Sequence, residues 1–451
     1  MHYGPAGNPL LTPSSAGIPG VIGGAPLPPL NPTPNWYAGN FQQTRGNYHV
    51  YELALETNVP LLNDDQFGVV VLNLAGRQAV YSTAGWVSTW KVGATWDTPL
   101  PGFRLRALQS RDVRAPNLSE LYGSPRVNNG SVTDRFSING GPINQSISPL
   151  PNPITSNPAL QVERGQTTEL GFVYSPDWLP GFQSSVTYYR IAVKGQITNY
   201  SQQQQMDICF NNGSPGSTPG SLAQCAYFFT GSTSWVTNGA LNNLPTTTAP
   251  TAQISPNFNL SSVVTDGVDY EISYRFAMDD VLDWGLGGDV TIRALMTNVS
   301  SFLLNPNIAA SPMIQQAGSN SAGIPKWKGF FTQAYDTDRW GIFVNERFFS
   351  SGVVNRLWVA CNPGSCPAPV DANHPTVNSN FMPGDLYFDI GGRFNISENT
   401  QLWFKIDNIT NQNPGMGNAY NFNPANQSPS LTTNLYDVLG RYYRVGVRLT
   451  Y

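Results

Sequence analysis

The chain has 451 residues and a formal net charge of −4, with 24 basic and 28 acidic side chains, so no basic surface points to nucleic acid. Charged residues make up only 12%, about half the usual share for a soluble protein, and aromatic residues another 12%, with 43 Gly and 37 Pro, a balance that suits a turn-rich β protein. No stretch reaches the continuous apolar length that a membrane helix needs, but a mean hydropathy of −0.24 is compatible with strands that cross a bilayer by alternation.

Residues 1–46 carry nine prolines spaced so that neither a helix nor a central strand persists. They read as an irregular segment, an extracellular loop or a tail. No secretory signal is visible after Met1, so the chain reads as a fragment or as lacking its true start.

From Asn47 onward, strand-like runs dominate. Val268, Tyr270, Ile272, Tyr274 and Phe276 alternate with Asp269, Glu271, Ser273 and Arg275. Leu386, Phe388 and Ile390 alternate with Tyr387 and Asp389, and Leu402, Phe404 and Ile406 alternate with Gln401, Lys405 and Asp407, with Trp403 breaking the rule. A period of two gives each strand one greasy face and one charged face. Short turns are expected at Asp97–Gly102, Ser175–Gly181, Met278–Trp284, Thr337–Arg339 and Ser397–Asn399. Long polar loops fall at approximately 112–164, 200–260, 303–324, 351–383 and 411–437. A strict alternation of short turns and long loops is the pattern of an outer-membrane barrel, periplasm against exterior. About thirteen strands are expected. The chain thus reads as all-β, a transmembrane antiparallel up-and-down β-barrel, the last thirteen or so strands of a barrel of about 22.

Both cysteine pairs lie in the long loops. Cys209 and Cys225 flank an Asn/Gly/Ser/Pro segment, and Cys361 and Cys366 flank Asn-Pro-Gly-Ser. Two loop disulfides in an oxidising compartment are the reading. A zinc site competes with it, weakened by the scatter of His2, His49 and His374 and by the lack of a CxxC. The last residues alternate again: Tyr443, Val445, Val447, Leu449 and Tyr451 against Arg444, Gly446, Arg448 and Thr450. This ending resembles that of bacterial outer-membrane proteins at large, which implies an assembly signal read by the barrel-assembly machinery.

Several ordered segments carry a closer resemblance. Residues 110–122 read Ser-Arg-Asp-Val-Arg-Ala-Pro-Asn-Leu-Ser-Glu-Leu-Tyr; Asn157-Pro158-Ala159-Leu160 precedes Glu163; Thr168-Glu169-Leu170-Gly171 precedes Pro180-Gly181-Phe182 and Val186-Thr187-Tyr188-Tyr189-Arg190-Ile191. Gly267-Val268-Asp269-Tyr270-Glu271, Asp407-Asn408-Ile409 and Arg441-Tyr442-Tyr443-Arg444-Val445 follow in order. Over residues 47–451 the chain resembles the C-terminal half of TonB-dependent receptors. The resemblance implies outer-membrane lipid as surroundings, a siderophore, a cobalamin-like molecule or an oligosaccharide as ligand, and contact with the TonB complex through a plug and N-terminal box. Nothing in the 451 residues matches the plug or the box, so this partial chain is not expected to transport alone.

Candidate ligand contacts are few. Arg111, Asp112 and Arg114 could meet a ligand, although such a cluster more often satisfies charge at a strand end. Tyr227, Phe228 and Trp235 beside Cys225 could stack on a sugar or siderophore, or could pack a loop interior. Asn-x-Ser/Thr triplets at Asn117, Asn129, Asn212 and Asn408 are expected by chance in Asn/Ser-rich bacterial loops. No HExxH, GxSxG or phosphate loop occurs, and Asp279, Asp280 and Asp283 read as a solvated turn rather than a metal site. No enzyme, cofactor or metal is expected. The competing readings are an autotransporter translocator, a porin-like channel, and a soluble secreted β-rich binding protein.

Overall fold

The computed structural model describes residues 45–123, 129–134, 145–209, 222–230, 233–234, 236–237, 240–241, 250–281, 285, 287–307, 313–362, 364–368, 374–377, 379–413, 435–437 and 439–450. The Pro/Gly-rich segment lies outside them except for Arg45 and Gly46, as do Trp235, Asp283 and Tyr451.

Thirteen strands follow one another in chain order through a single antiparallel sheet. They are β1 (Val50–Asp64), β2 (Gly68–Tyr81), β3 (Gly85–Asp97), β4 (Phe103–Arg114), β5 (Glu163–Tyr174), β6 (Phe182–Asn199) and β7 (Ser255–Ala277). Then come β8 (Asp289–Asn305), β9 (Trp327–Asp336), β10 (Trp340–Phe349), β11 (Asp385–Ser397), β12 (Thr400–Asp407) and β13 (Tyr442–Leu449). The strand number and the meander agree with the alternation read from the sequence. The strict alternation of loop lengths does not hold throughout: β2 and β3 are joined on the long-loop side by residues 82–84 alone, with Tyr81 paired to Gly85.

The sheet has one apolar and one charged face. On the apolar face Leu53, Leu55 and Val445 are 78%, 74% and 82% exposed, and large apolar side chains line every long strand. So much contiguous apolar surface is not found on a soluble monomer; hydrocarbon is the solvent that suits it. Tyr443, Val447 and Leu449 share that face, as the terminal alternation predicts.

The opposite face is laced with ion pairs between neighbouring strands. Arg104 meets Asp97 directly across β3 and β4, Arg293 reaches Glu271 at 2.6 Å, and Arg444 reaches Asp407 at 2.7 Å. Arg393 on β11 reaches Asp336 on β9 across Gly341 of β10 at 3.0 Å. Only a residue without a Cβ allows this, because a methyl at Gly341 would collide with the Asp336 carboxylate. Trp403 breaks the sequence alternation for a similar reason. It lies on the charged face over Gly446 of β13, its register partner, where a side chain would strike the indole.

Candidate functional site: the loops above the charged face

The Ser-Arg-Asp-Val-Arg-Ala-Pro segment ends β4 and begins the first long loop. Its second arginine is the hinge of that junction. Arg114 donates to Glu163 at 2.8 and 2.5 Å and to Glu120 at 3.0 and 3.0 Å. Glu120 belongs to helix α1 (Leu118–Tyr122), whose N-terminus is closed by a capping box: Asn117 accepts from the Glu120 amide, and the Glu120 carboxylate accepts from the Asn117 amide. Glu163 also accepts from the Ile197 amide at 2.7 Å. One guanidinium therefore ties β4 to the loop helix, to the start of β5 and to β6. Arg114 is committed to carboxylates rather than free for a ligand. Ser110 donates to Asp112 at 2.8 Å, and Arg111 points to the other face of the sheet, which the alternation along β4 requires.

Above β4–β7, two long loops build a common core. A hairpin of Asn129–Asp134 with Gln145–Pro151 packs against helix α2 (Gln202–Cys209). Val132, Leu150, Met206 and Phe228 surround the Cys209–Cys225 disulfide, all of them buried. Four consecutive glutamines start α2, and three of them stitch the loops together. Gln202 donates to the Leu150 carbonyl at 3.1 Å, Gln203 exchanges hydrogen bonds with the Thr133 backbone, and Gln205 accepts from Gln253. Because Gln can both donate and accept, this run satisfies backbone groups that the hairpin's own two-stranded ladder leaves over.

This core corrects one candidate. Phe228 is fully buried within it, so its ring presents no face to a ligand. Tyr227 is half-buried at the margin, edge-on to Phe258, which in turn packs on Tyr200. Burial pushes the hydroxyls of Tyr227 and Tyr200 up from the usual tyrosine range, with Tyr200 adding to the shift at Tyr227. Of the loop aromatics proposed from sequence, Tyr227 is the one the described structure leaves available.

A second loop core stands over β10–β13. Phe349, Met382, Tyr387 and Tyr436 pack together, and the Tyr436 hydroxyl donates to the Pro383 carbonyl at 2.5 Å. Arg347 reaches Asp389 and Asp437 and lies 5.1 Å over the Tyr387 ring. The Cys361–Cys366 disulfide braces the neighbouring loop in a more exposed position. Both disulfides expected from the cysteine spacing are thus formed. Asn117 and Asn408, two of the triplet asparagines, have backbone roles: one caps α1, and the other is buried with a left-handed φ of 50°, its amide donating to Asp389. Asp279 and Asp280 form an exposed turn.

Below the first loop core the charged face is hollowed. A crevice of about 530 Å³ is lined by Arg106, Glu169, Thr187, Tyr189, Asp269 and Glu271 among others. Arg106 donates to Thr187 across Gly171, which has no side chain to block it. These residues come from four strands. Their alternation was legible, but their meeting was not, since register alone brings them together.

A family model for "TonB dependent receptor-like, beta-barrel" matches residues 20–409. The chain belongs to the TonB-dependent receptor family. As a member it is a protein of the Gram-negative outer membrane, and the charged face is the lumenal one. Its fold is similar to that of a mutant of the ferric enterobactin receptor PfeA of Pseudomonas aeruginosa, with a TM-score of 0.53 and 14% identity over 90% of this chain and 45% of that one. It is similar also to the siderophore receptor PirA of Acinetobacter baumannii, with a TM-score of 0.52 and 14% identity over 90% and 47% of the two chains. The chain spans about half the length of the solved structures it matches. The receptor fold also explains where the candidate site lies, since both loop cores stand on the external side, at the mouth of the lumen.

Proposed function

We propose that this chain is the wall and external mouth of a receptor for energy-dependent uptake of a scarce nutrient, of the ferric siderophore class. The observation that carries the reading is the pairing of two braced loop cores with a charged lumenal crevice directly beneath one of them. Loops held by disulfides, glutamine stitching and the Arg114 clamp are pre-organised, which lowers the ordering cost of binding. The similar solved structures are receptors for ferric enterobactin and for a siderophore. A cobalamin-like molecule or an oligosaccharide is the second choice, since the half-buried Tyr227 at the loop margin offers its ring to either class.

In this proposal the chain works with a plug and a TonB-contacting segment. The barrel-assembly machinery inserts it through the terminal strand, and it performs no catalysis. The test is a titration of the folded chain in detergent with a ferric catecholate, a ferric hydroxamate, cobalamin and maltoheptaose, read by tryptophan fluorescence. Saturable binding of one ferric siderophore, weakened in the Tyr227→Ala variant, is expected. Binding of cobalamin or the oligosaccharide alone overturns the substrate class, and binding of none overturns a receptor role for these loops.

A further inference from the structure

The apolar face changes character at one place. On β4–β7 its outward positions are apolar from the short-turn end up to the register row Ala107, Leu170, Tyr188 and Val268. The next row toward the loops is Gln109, Thr168, Arg190 and Asp266, and the one beyond it is Trp90, Arg111, Gln166 and Ala192. Arg164 and Lys194 follow, directly opposite each other. Four cations thus ring Gln166 on the membrane-facing side of the sheet, Arg111 opposite it, Arg164 next along its strand, and Arg190 and Lys194 on the diagonals with the small residue Ala192 between them, neighbouring positions being about 5 Å apart across strands and about 7 Å along them.

These cations differ from those of the lumenal face. There Arg77, Lys91, Arg104, Arg293 and Arg444 each reach a carboxylate. Among the described residues, none of Arg111, Arg164, Arg190 and Lys194 has a side-chain hydrogen bond or ion pair. The one carboxylate in these rows, Asp266, faces Arg190 in register without pairing to it. Like charges placed directly opposite in a sheet repel, so an anion between Arg164 and Lys194 would relieve a repulsion that the strand pairing imposes.

Height and surroundings identify the anion. Arg111, Arg164 and Arg190 lie near the end of a tilted crossing of about 9–11 residues counted from the short turns. Trp90 is the register partner of Arg111, and indoles prefer the membrane–water boundary. Immediately below the cations, the same face holds an apolar hollow of about 670 Å³ lined by Trp96, Leu105, Leu170, Phe172, Tyr188 and Tyr270 among others. A cationic ring above an apolar hollow has the polarity of one lipid molecule, head up and chains down.

We propose that this patch docks the phosphorylated headgroup of an outer-leaflet lipid, with guanidinium groups of Arg111, Arg164 and Arg190 and the Lys194 ammonium on phosphate, and acyl chains in the hollow. Guanidinium forks match phosphate oxygens in pairs, which makes arginine the suitable side chain here. The site faces away from the lumen, so it is independent of the ligand proposed above.

The experiment uses the folded 451-residue chain in dodecylmaltoside micelles doped with phosphatidic acid or phosphatidylcholine, each carrying dibrominated chains that quench lipid-facing tryptophans, with the Trp90 share read as the difference from the Trp90→Phe variant. Half-quenching is expected at about tenfold lower mole fraction of phosphatidic acid than of phosphatidylcholine, a modest preference for several cations at a membrane surface. The triple variant Arg164→Gln, Arg190→Gln, Lys194→Gln should bring the two lipids within about twofold. Gln166→Glu, which places a carboxylate at the centre of the ring, should abolish the preference while leaving the fold as stable or more so; it keeps the test decisive if the triple variant misfolds. Arg339→Gln, in a short turn, should change nothing. A preference that survives both patch variants, or one lost equally in Arg339→Gln, overturns the proposal. So does displacement of the lipid by millimolar inorganic phosphate, which would make the patch a site for the free ion.

Discussion

Replacing Arg114 by alanine removes the donor that holds three chain segments together. Four hydrogen bonds to two carboxylates disappear, and Glu163, whose side chain is only 11% exposed, is left with the Ile197 amide as its remaining partner. Hydrogen bonds to charged groups contribute about 1.5–3 kcal/mol each when buried, and removing one member of a fully buried pair costs about 3–5 kcal/mol. Arg114 is 44% exposed, so solvent screens the clamp and a loss of about 2–3 kcal/mol is the reasonable figure. That loss is local: it acts on the β4–α1 junction and on the β5–β6 end, not on the sheet as a whole. Hydrogen exchange at the Ile197 amide and across α1 is therefore the suitable assay. At 1.4 kcal/mol per factor of ten, exchange should quicken by about 30- to 140-fold there and stay unchanged in mid-sheet. Arg114→Lys keeps the charge without the fork and should fall between. In a double-mutant cycle with Glu163→Gln, the two losses should be strongly non-additive. Exchange at Ile197 that matches the native protein in Arg114→Ala would refute the clamp and return Arg114 to the ligand candidates.

The two disulfides should respond differently to reductant. Closing 16 residues against 5 gives Cys209–Cys225 and Cys361–Cys366 about 3 and 2 kcal/mol of loop-closure stabilisation, but only the first is walled in by its loop core. Mild dithiothreitol should open Cys361–Cys366 in the folded protein and spare Cys209–Cys225 until the loops unfold, as mass spectrometry of alkylated protein would show. Gly341→Val should separate Arg393 from Asp336 and destabilise the sheet by about 1–2 kcal/mol, read by urea-induced unfolding in detergent, whereas Ala334→Val on the neighbouring strand should cost less. Tyr200 and Tyr227 have hydroxyls raised above the ordinary value of 10.0 by burial, so the folded loops favour the neutral form. Their contribution is full below pH 10 and is lost as pH rises through the folded pKa. Tyrosinate absorbance and proteolysis of the 200–254 loop should rise together at alkaline pH.

The sequence by itself determined the wall of this protein. A period of two is a local property, fixed by the geometry of the pleat, so Val268 to Phe276 and Tyr443 to Leu449 announced their faces without any neighbour. Glycine and proline punctuation placed the short turns, and close spacing in loops announced both disulfides. The order of motifs from Ser110 to Val445 announced the family. What only the tertiary structure decided depends on register and on contacts across long separations. Arg114 meets Glu163 49 residues away, Arg106 meets Thr187 81 residues away, and Gln253 meets Gln205 48 residues away. Whether Phe228 stacks on a ligand or packs a loop interior stayed open in the sequence, because burial of a loop side chain depends on a second loop packing over it. The four cations of the membrane-facing patch stayed hidden because they are scattered over β4, β5 and β6, and only strand pairing assembles them around Gln166. Local alternation is written into each strand, whereas a site is written between strands, where a shift of one residue would turn every side chain to the other face.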